Sequence, residues 1–369
     1  MLRGRMNIVI GAQAGSEAKG KLSGYLVDKF RPEIVAGSLA PNAGHTIIKD
    51  GNKYISHHIP VCSVISDALI VMGPTSVINP VVFKEELNKL GIDRSRLRIS
   101  SRATIITQSM VTDEKRSMTV IGSTAQGVGL ARAAKLMRGV TSDVLYFGDL
   151  PDHWLEDLGI SGDQIIDDAG EFITNCMKDG AAVLYEMSQG FDLCMEHGID
   201  RKYCTSRIIN PAMALAEMGV GINYLGDVYG VLRPYPIRVN NRDGYSGPYG
   251  EAAEITWEEI AKRSGYDGDL TEITTTTKLP RRVFEFSWTR FEKFIRICRP
   301  DYLCLQFANY LDYSIYGTTS IDRVLESERV SDFMASMDEK MNQDAEIMYI
   351  GTGPGHTHMV DCLKLERDR

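Results

Sequence analysis

The stretch from residue 7 to residue 21, which reads NIVIGAQAGSEAKGK, constrains the fold more than any other part of the chain. The apolar run at residues 8–10 predicts a short buried strand, the glycines after it predict a turn, and apolar residues from Leu22 onward recur at helical spacing. A strand, a glycine-rich turn and a helix N-terminus together form an anion site, because backbone N–H groups and the helix dipole point into the turn.

Residues 15–21 also fit the phosphate-binding pattern G-x-x-x-x-G-K. Leu22 stands where that pattern requires a metal-binding Ser or Thr, so an ordinary P-loop kinase or ATPase is not expected. A lone glycine-rich loop is about as often a plain strand-to-helix turn as a phosphate-binding loop. This motif alone leaves both interpretations open.

Strand and helix patterns alternate through most of the sequence. Strands are predicted at residues 68–72, 182–185, 229–239, 302–307 and 346–350, helices at 82–90, 211–218 and 330–341, and a polar turn at 186–190. This alternation predicts an α/β fold with a mainly parallel central sheet, helices on both faces and a P-loop-like phosphate-binding turn after the first strand. Ligands of such sheets collect at the carboxyl ends of the strands. No repeat or low-complexity linker divides the chain, so we expect residues 1–369 to form a single domain.

Composition and charge narrow the partners that we expect. The net charge of −8 argues against binding to nucleic acid polymers or to anionic membranes, but a mononucleotide needs only a local basic pocket. No apolar run approaches the roughly 20 residues of a membrane span. The seven cysteines include no C-x-x-C pair, which is typical of free thiols in a reducing cytoplasm rather than of a zinc site or a disulfide framework.

A second stretch, PNAGHT at residues 41–46, adds a family resemblance to the phosphate-binding turn. Residues 13–21 and 42–46 resemble the adenylosuccinate synthetase family, in which the same stretches read QWGDEGKGK and NAGHT. The most important difference is Ser16, which stands at the position of the family's catalytic aspartate. This replacement is typical of the bacteriophage branch, the N6-succino-2-amino-2'-deoxyadenylate synthases, which act on dGMP.

The resemblance implies a two-step reaction. A nucleoside triphosphate phosphorylates the purine 6-oxygen, and the amine of L-aspartate then attacks C6 and expels phosphate. We therefore expect a ligase that joins L-aspartate to dGMP with ATP or dATP and Mg²⁺. An ordinary adenylosuccinate synthetase acting on IMP is one alternative, and a non-catalytic purine-nucleotide sensor is another.

The resemblance places ATP-binding residues near both ends of the chain and the metal ligands near its start. Ser16 and His45 are the expected catalytic residues, and the Ser16 hydroxyl and the Gly44 carbonyl are the expected Mg²⁺ ligands. Hard cations such as Mg²⁺ accept hydroxyl oxygen less strongly than carboxylate. The expected ATP-binding residues are Ser16, Glu17, Ala18, Lys19, Gly20, Lys21, Gly44, His45, Thr46, Gln306, Asn309, Gly351, Thr352 and Gly353.

Ser16 and Asn309 bear on which nucleotides are used. Replacing the family's aspartate by Ser16 removes the base that takes the N1 proton of IMP, and it frees space where a 2-amino group projects, which favours guanine over hypoxanthine. A hydroxyl is too weak a base to replace it, so substrate phosphate, water or metal activation remain the candidates. Asn309 replaces the aspartate of the family's L-T-K-L-D, which accepts hydrogen bonds from guanine. An amide both donates and accepts, which favours ATP or dATP.

The nucleotide and L-aspartate sites follow from further resemblances. Residues 188–190 match the family's A-Q-G, and Thr205 matches a phosphate-contacting threonine. Residues 121–129 (IGSTAQGVG) resemble the family's I-G-T-T-G-R-G-I-G, and Arg138 matches an arginine that reaches the partner subunit's nucleotide, which implies a homodimer. Residues 274–282 resemble T-T-G-R-R-R-R, although Leu279 and Pro280 interrupt the basic run. The expected dGMP-binding residues are Ser16, Asn42, Ala43, Ser123, Thr124, Arg138, Gln189 and Thr205. The expected aspartate-binding residues are Thr275, Thr276, Thr277, Arg281 and Arg282.

Overall fold

The computed structural model describes residues 1–117, 124–140, 143–240, 245–274 and 279–362. The α-helices in these ranges are α1 (Lys19–Phe30), α2 (Pro80–Leu90), α3 (Gln108–Ser117), α4 (Val128–Leu136), α5 (Asp152–Leu158), α6 (Ala169–Lys178), α7 (Pro211–Met218), α8 (Trp257–Ser264), α9 (Trp288–Cys298), α10 (Ile321–Leu325) and α11 (Glu328–Met341). The strands are β1 (Met6–Gly11), β2 (Ile34–Gly37), β3 (His45–Lys49), β4 (Asn52–Ser56), β5 (Leu69–Met72), β6 (Val77–Ile78), β7 (Leu97–Ser100), β8 (Thr104–Ile105), β9 (Ile165–Ile166), β10 (Val183–Gly190), β11 (Leu225–Leu232), β12 (Ile237–Arg238), β13 (Glu254–Ile255), β14 (Arg282–Phe284), β15 (Tyr302–Leu305), β16 (Glu346–Gly351) and β17 (Met359–Asp361).

A ten-stranded sheet runs through the described part of the chain in the order β17-β16-β15-β11-β1-β10-β2-β5-β7-β9. All neighbouring strands in it are parallel except β16 and β17, which are antiparallel. Smaller sheets are formed by β12-β14-β13, by β3-β4 and by β6-β8. The mainly parallel α/β sheet that the alternating pattern predicted is confirmed.

The central strand β1 shows why helices cover both faces of this sheet. Side chains alternate between the two faces of a strand, and every residue of β1 is buried. Ile8 and Ile10 therefore pack into a hydrophobic cluster with residues of α6, α7, α9 and α11. Val9 packs into a second cluster with residues of α1, α2 and α5. A strand that is apolar on both faces is stable only between two layers of helices.

Helix α7 follows the sequence pattern residue for residue, whereas β10 does not. The Asn210 side chain accepts the N–H of Met213 at the start of α7, and Gly219 ends the helix in the left-handed conformation. The polar turn predicted at residues 186–190 is wrong, because β10 continues through these residues. Glu186 pairs with Val9 and Gly190 pairs with Gly11 of β1, and the register shifts between these two pairs. Pairing with a central strand overrides the low strand propensity of Gly190, whereas Gln189, with φ of 68°, lies in the irregular part between the two pairs.

The parallel strands bring distant segments to one edge of the sheet. β15, β11, β1 and β10 are adjacent, and their carboxyl ends lead into Gln306, Arg233, the turn at residues 12–18 and Phe191. Ligand sites of open parallel sheets form at this edge. Among the described residues, no helix combines the length and the hydropathy that a membrane span requires.

Candidate active site

A cavity of about 630 Å³ lies at the carboxyl ends of the central strands. It is lined by residues from both ends of the chain, so one site contains most of the residues that were singled out in the sequence. The predicted site residues that line it are Ser16, Glu17, Ala18, Lys19, Gly20, Lys21, Asn42, Ala43, Gly44, His45, Thr46, Thr124, Gln189, Arg281, Gln306, Asn309 and Gly353.

The other predicted site residues lie elsewhere. Arg138 is exposed after α4, and the backbone N–H of Thr205 donates to the Leu193 carbonyl at 2.8 Å. The Thr352 hydroxyl is directed to the Thr318 carbonyl at 2.7 Å, and Gly351 ends β16. None of these residues lines the cavity, and neither does Arg282. Ser123, Thr275, Thr276 and Thr277 lie outside the described residues.

The turn after β1 is shaped by positive φ angles and by the carboxylate of Glu17. Gly15, Ser16 and Ala18 have φ of 92°, 58° and 65°, a conformation that costs a side chain roughly 1–2 kcal/mol. The fully buried Glu17 carboxylate accepts the N–H groups of Gln13 at 3.1 Å and Gly15 at 2.8 Å. These bonds hold the strained turn against the sheet, so that α1 begins at Lys19 with its N-terminus at the cavity.

Two buried lysines line the cavity beside this turn. The Lys19 ammonium pairs with Glu17 at 2.7 Å. The Lys21 ammonium donates to the carbonyls of Gly353 at 2.7 Å and His358 at 2.9 Å, which ties the first helix to the chain after β16. Burial lowers the pKa of Lys21 to about 7. An incoming phosphate would restore the charged form, since an adjacent anion favours an ammonium.

His45 is held by a buried carboxylate that the sequence interpretation missed. Its Nδ1 lies 2.5 Å from Oε1 of Glu186, whose side chain is fully buried on β10. Within the described residues, Oε2 of Glu186 has no hydrogen-bond partner of standard geometry. Burial raises the pKa of the nearby Cys62 thiol, and the charge of the Glu186 carboxylate raises it further. The sequence did contain a signal for Glu186, a glutamate inside the apolar run VLYEM. Burying an isolated charge in a strand is unfavourable, so a glutamate at such a position needs a partner.

Arg233 and Glu272 were also missed. The Arg233 guanidinium is fully buried and donates to the Ser16 carbonyl at 3.2 Å and to Glu272 at 3.1 Å. Glu272 in turn accepts from Arg281 at 2.8 Å. The sequence carries no signal for this cluster, because the residues belong to segments that only the fold brings together.

Arg282 is paired differently from Arg281. Its guanidinium forms an ion pair with Glu254 at 2.6 Å and donates to the Gly247 carbonyl at 2.7 Å. The two neighbouring arginines therefore differ in position: Arg281 lines the cavity, and Arg282 is bound within the small sheet of β13 and β14.

Aromatic side chains form the wall of the cavity nearest Asn309. The rings of Tyr313 and Tyr316 are stacked with centroids 4.9 Å apart, and Phe307 lies 5.2 Å from Tyr310. Aromatic faces of this kind suit a purine base, because base–aromatic stacking is favourable whichever base is present. Asn309 is buried beside them and supplies an amide at the same wall.

Comparison with known proteins identifies the family. The family model described as adenylosuccinate synthetase matches residues 8–150 and 152–314, which is most of the chain. The chain belongs to the adenylosuccinate synthetase family. The resemblance that residues 13–21 and 42–46 indicated is confirmed, and so is the expectation of an enzyme of this ligase type.

Relatives from both branches of the family cover nearly the whole chain. The N6-succino-2-amino-2'-deoxyadenylate synthase of Acinetobacter phage SH-Ab 15497 is 31% identical over 98% of this chain and 94% of its own length. The adenylosuccinate synthetase of Thermococcus sibiricus is 28% identical over 96% of this chain and 97% of its own length. A solved structure, cyanophage S-2L succinoaminodeoxyadenylate synthetase bound to dGMP and to dATP as an energy donor, matches with a TM-score of 0.78 at 28% identity, covering 98% of this chain and 97% of the other.

Proposed function

We propose that the chain joins L-aspartate to C6 of dGMP at the expense of ATP or dATP. The products are N6-succino-2-amino-2'-deoxyadenylate, phosphate and ADP or dADP. The observation that carries this proposal is the position of Ser16, a neutral hydroxyl in the cavity that His45 and Gln189 also line. The phage synthase among the relatives and the cyanophage structure with dGMP support the same substrate.

Ser16 favours guanine over hypoxanthine through its size and position. Arg233 fixes the Ser16 carbonyl, so the side chain occupies a defined place in the turn. A serine there is smaller than the aspartate expected from the family resemblance, and the difference leaves space beside the base for a 2-amino group. An ordinary adenylosuccinate synthetase acting on IMP is the alternative.

We assign His45 and Glu186 to the phosphoryl-transfer step. The purine 6-oxygen attacks the γ-phosphorus, the bond to the β–γ bridging oxygen breaks, and the N1 proton passes to a substrate phosphate or to water, because the Ser16 hydroxyl is too weak a base to take it. Because Glu186 accepts the Nδ1 hydrogen of His45, it fixes the ring orientation and leaves Nε2 as the nitrogen that meets a ligand. A donor held at the reacting oxygens stabilises the charge that develops there. In the second step the L-aspartate amine attacks C6 and phosphate leaves.

The residues at the turn fit a Mg²⁺ ion that arrives with the triphosphate. No cluster of three or more His, Cys, Asp or Glu side chains that could hold a metal occurs among the described residues. Ser16 and Gly44 line the cavity and offer a hydroxyl and a carbonyl oxygen. Mg²⁺ commonly takes few protein ligands and completes its shell with phosphate oxygens and water. When bound, the ion would neutralise part of the negative charge of the phosphates, and the Lys19 and Lys21 ammonium groups would neutralise a further part.

We propose ATP or dATP as the donor from Asn309 and the aromatic wall around it. The Asn309 amide both donates and accepts, as the adenine edge requires. For dGMP we retain Asn42, Ala43, Thr124 and Gln189 as contacts from the cavity, and Ser123 and Thr205 from the sequence resemblance. Arg281 is our candidate for a carboxylate of L-aspartate, together with the threonines at 275–277.

We also propose a homodimer in which Arg138 reaches the partner's nucleotide. Arg138 follows α4, where Leu136, Met137 and Val140 expose 81%, 46% and 77% of their surface. Exposed apolar side chains grouped around a cation are typical of a protein interface. A measured solution mass of one chain would contradict the dimer.

The seven cysteines are unpaired in the structure, which suits a reaction in the cytoplasm.

Phosphate release by the purified chain tests the proposed function. The assay contains ATP, Mg²⁺ and L-aspartate, with dGMP or IMP as the acceptor. We expect turnover with dGMP and little with IMP. Turnover with IMP alone would return the chain to ordinary adenylosuccinate synthesis, and nucleotide binding without phosphate release would favour the non-catalytic sensor. His45→Asn is the control that separates enzymatic release from background hydrolysis.

A further inference from the structure

The Glu272 carboxylate lies between two arginine side chains at the wall of the cavity. Its Oε2 accepts from Nη1 of Arg281 at 2.8 Å and from Nη1 of Arg233 at 3.1 Å. Its Oε1 accepts from Nη2 of Arg233 and from the Tyr310 hydroxyl at 3.3 Å. Burial by itself opposes ionisation, but the charges of Arg233 and Arg281 outweigh it and hold the pKa of Glu272 below its usual range.

Arg233 is placed to hold Glu272 rather than a ligand. Its side chain is fully buried and does not line the cavity. The guanidinium carbon lies 4.1 Å from the centroid of the Phe307 ring, and the guanidinium also donates to the Ser16 carbonyl. A planar guanidinium that stacks on an aromatic ring and forms a bidentate pair has little freedom to move. Arg233 therefore gives Glu272 a fixed position.

Arg281 presents the remaining positive charge to the cavity. The two arginines and Glu272 together carry one net positive charge, and Arg281 is the member of the arginine pair that lines the cavity. Among the described residues, its buried Nε has no hydrogen-bond partner. A guanidinium bound on one side and unpaired on another suits a carboxylate, which it meets through parallel N–H donors.

We propose that Glu272 is a positioning residue that orients Arg281 to receive a carboxylate of L-aspartate. Without the Glu272 charge the Arg233 and Arg281 guanidiniums would repel each other, and Arg281 would have to be ordered when the substrate binds. The inference rests on the proposed function only in taking L-aspartate as the amino-acid substrate. It holds whether the nucleotide is dGMP or IMP.

Steady-state kinetics of Glu272→Gln test this role, because the amide keeps the size of the side chain and removes its charge. We expect the KM for L-aspartate to rise about tenfold or more, while kcat and the nucleotide KM change by less than about threefold. Glu272→Asp, which retains the charge, recovers part of the loss. Glu254→Gln is the matched control, since it removes the partner of Arg282 outside the cavity, and it should leave the KM for L-aspartate unchanged.

A double variant separates positioning from a general structural role. If Glu272 acts through Arg281, adding Glu272→Gln to Arg281→Ala raises the KM for L-aspartate no further. Additive effects, or equal losses for nucleotide and L-aspartate, would overturn the proposal. If Glu272→Gln does not fold, Glu272→Asp is compared with the wild type. Its shorter side chain cannot reach both arginines as Glu272 does, so the KM for L-aspartate should rise by a smaller amount, and an unchanged KM would refute the role.

Failure of the proposed function gives a different result from failure of this inference. If the wild type turns over IMP and not dGMP, the proposed substrate is wrong and the same variants are compared with IMP. If neither nucleotide is turned over, calorimetric titration of L-aspartate into the nucleotide-bound protein replaces KM. Equal affinity of the wild type and Glu272→Gln in that titration would refute the positioning role.

Discussion

The pair formed by His45 and Glu186 makes the most direct prediction about catalysis. Glu186→Gln keeps the length of the side chain and replaces the carboxylate that faces Nδ1 of His45 at 2.5 Å. The pair is buried, with exposed side-chain fractions of 5% for His45 and 0% for Glu186, so water cannot replace the lost charge, and the neutral amide oxygen is a weaker acceptor. A charge-assisted hydrogen bond of this kind contributes about 1.5–3 kcal/mol and a neutral one about 0.5–1.5 kcal/mol, so the amide loses on the order of 1–1.5 kcal/mol. If that loss acts in the transition state, kcat falls about 5- to 13-fold.

The assay is phosphate release at saturating ATP, L-aspartate and dGMP, for the wild type, Glu186→Gln and His45→Asn. We expect Glu186→Gln to lower kcat with little change in either KM, because the pair is assigned to the reacting oxygens and not to substrate binding. Thermal unfolding of each variant shows whether the lower rate reflects a loss of folded protein. A kcat of Glu186→Gln within about threefold of the wild type would refute the argument that this carboxylate supports His45.

Three further predictions concern the nucleotides and the buried lysine. Ser16→Asp should lower turnover with dGMP at least about tenfold relative to turnover with IMP, since one misplaced group beside a base costs about 1–3 kcal/mol. Phosphate release measures the ratio of the two rates, and an unchanged ratio would refute the size argument. Asn309→Asp should shift the donor preference from ATP towards GTP by a similar factor, measured as the ratio of kcat/KM for the two donors; an unchanged ratio would mean that Asn309 does not contact the donor base. Lys21, whose pKa burial lowers to about 7, is mostly neutral at pH 8, so ATP binding should take up close to one proton as the phosphates restore the ammonium. Titration calorimetry at pH 8 in buffers of different ionisation enthalpy measures this proton uptake. ATP affinity should also fall as the pH rises through the pKa of Lys21 in the free protein. The same proton uptake in Lys21→Met would contradict the assignment.

Local patterns were sufficient for the fold class and for part of the site. The apolar run of β1, the glycine turn and the start of α1 lie within one continuous stretch, and the structure reproduces them in order. Helix α7 matched because its cap, its proline and its terminal glycine are all local signals. Ser16 and Asn309 were recognisable for a similar reason: each stands at a defined place in a short motif. Local sequence patterns were misleading at residues 186–190, where β10 continues beside β1 instead of turning.

The sequence by itself determined the α/β class, the turn after the first strand and the family motifs around Ser16 and His45. Only the tertiary structure decided that Glu186 supports His45, which lies 141 positions away in the chain, and that Glu272 lies between Arg233 and Arg281. The physical reason is that side-chain pairs between distant segments depend on strand order and register. The order β15-β11-β1-β10 brings the carboxyl ends of these strands together, and burial then requires each charge at that edge to find a partner.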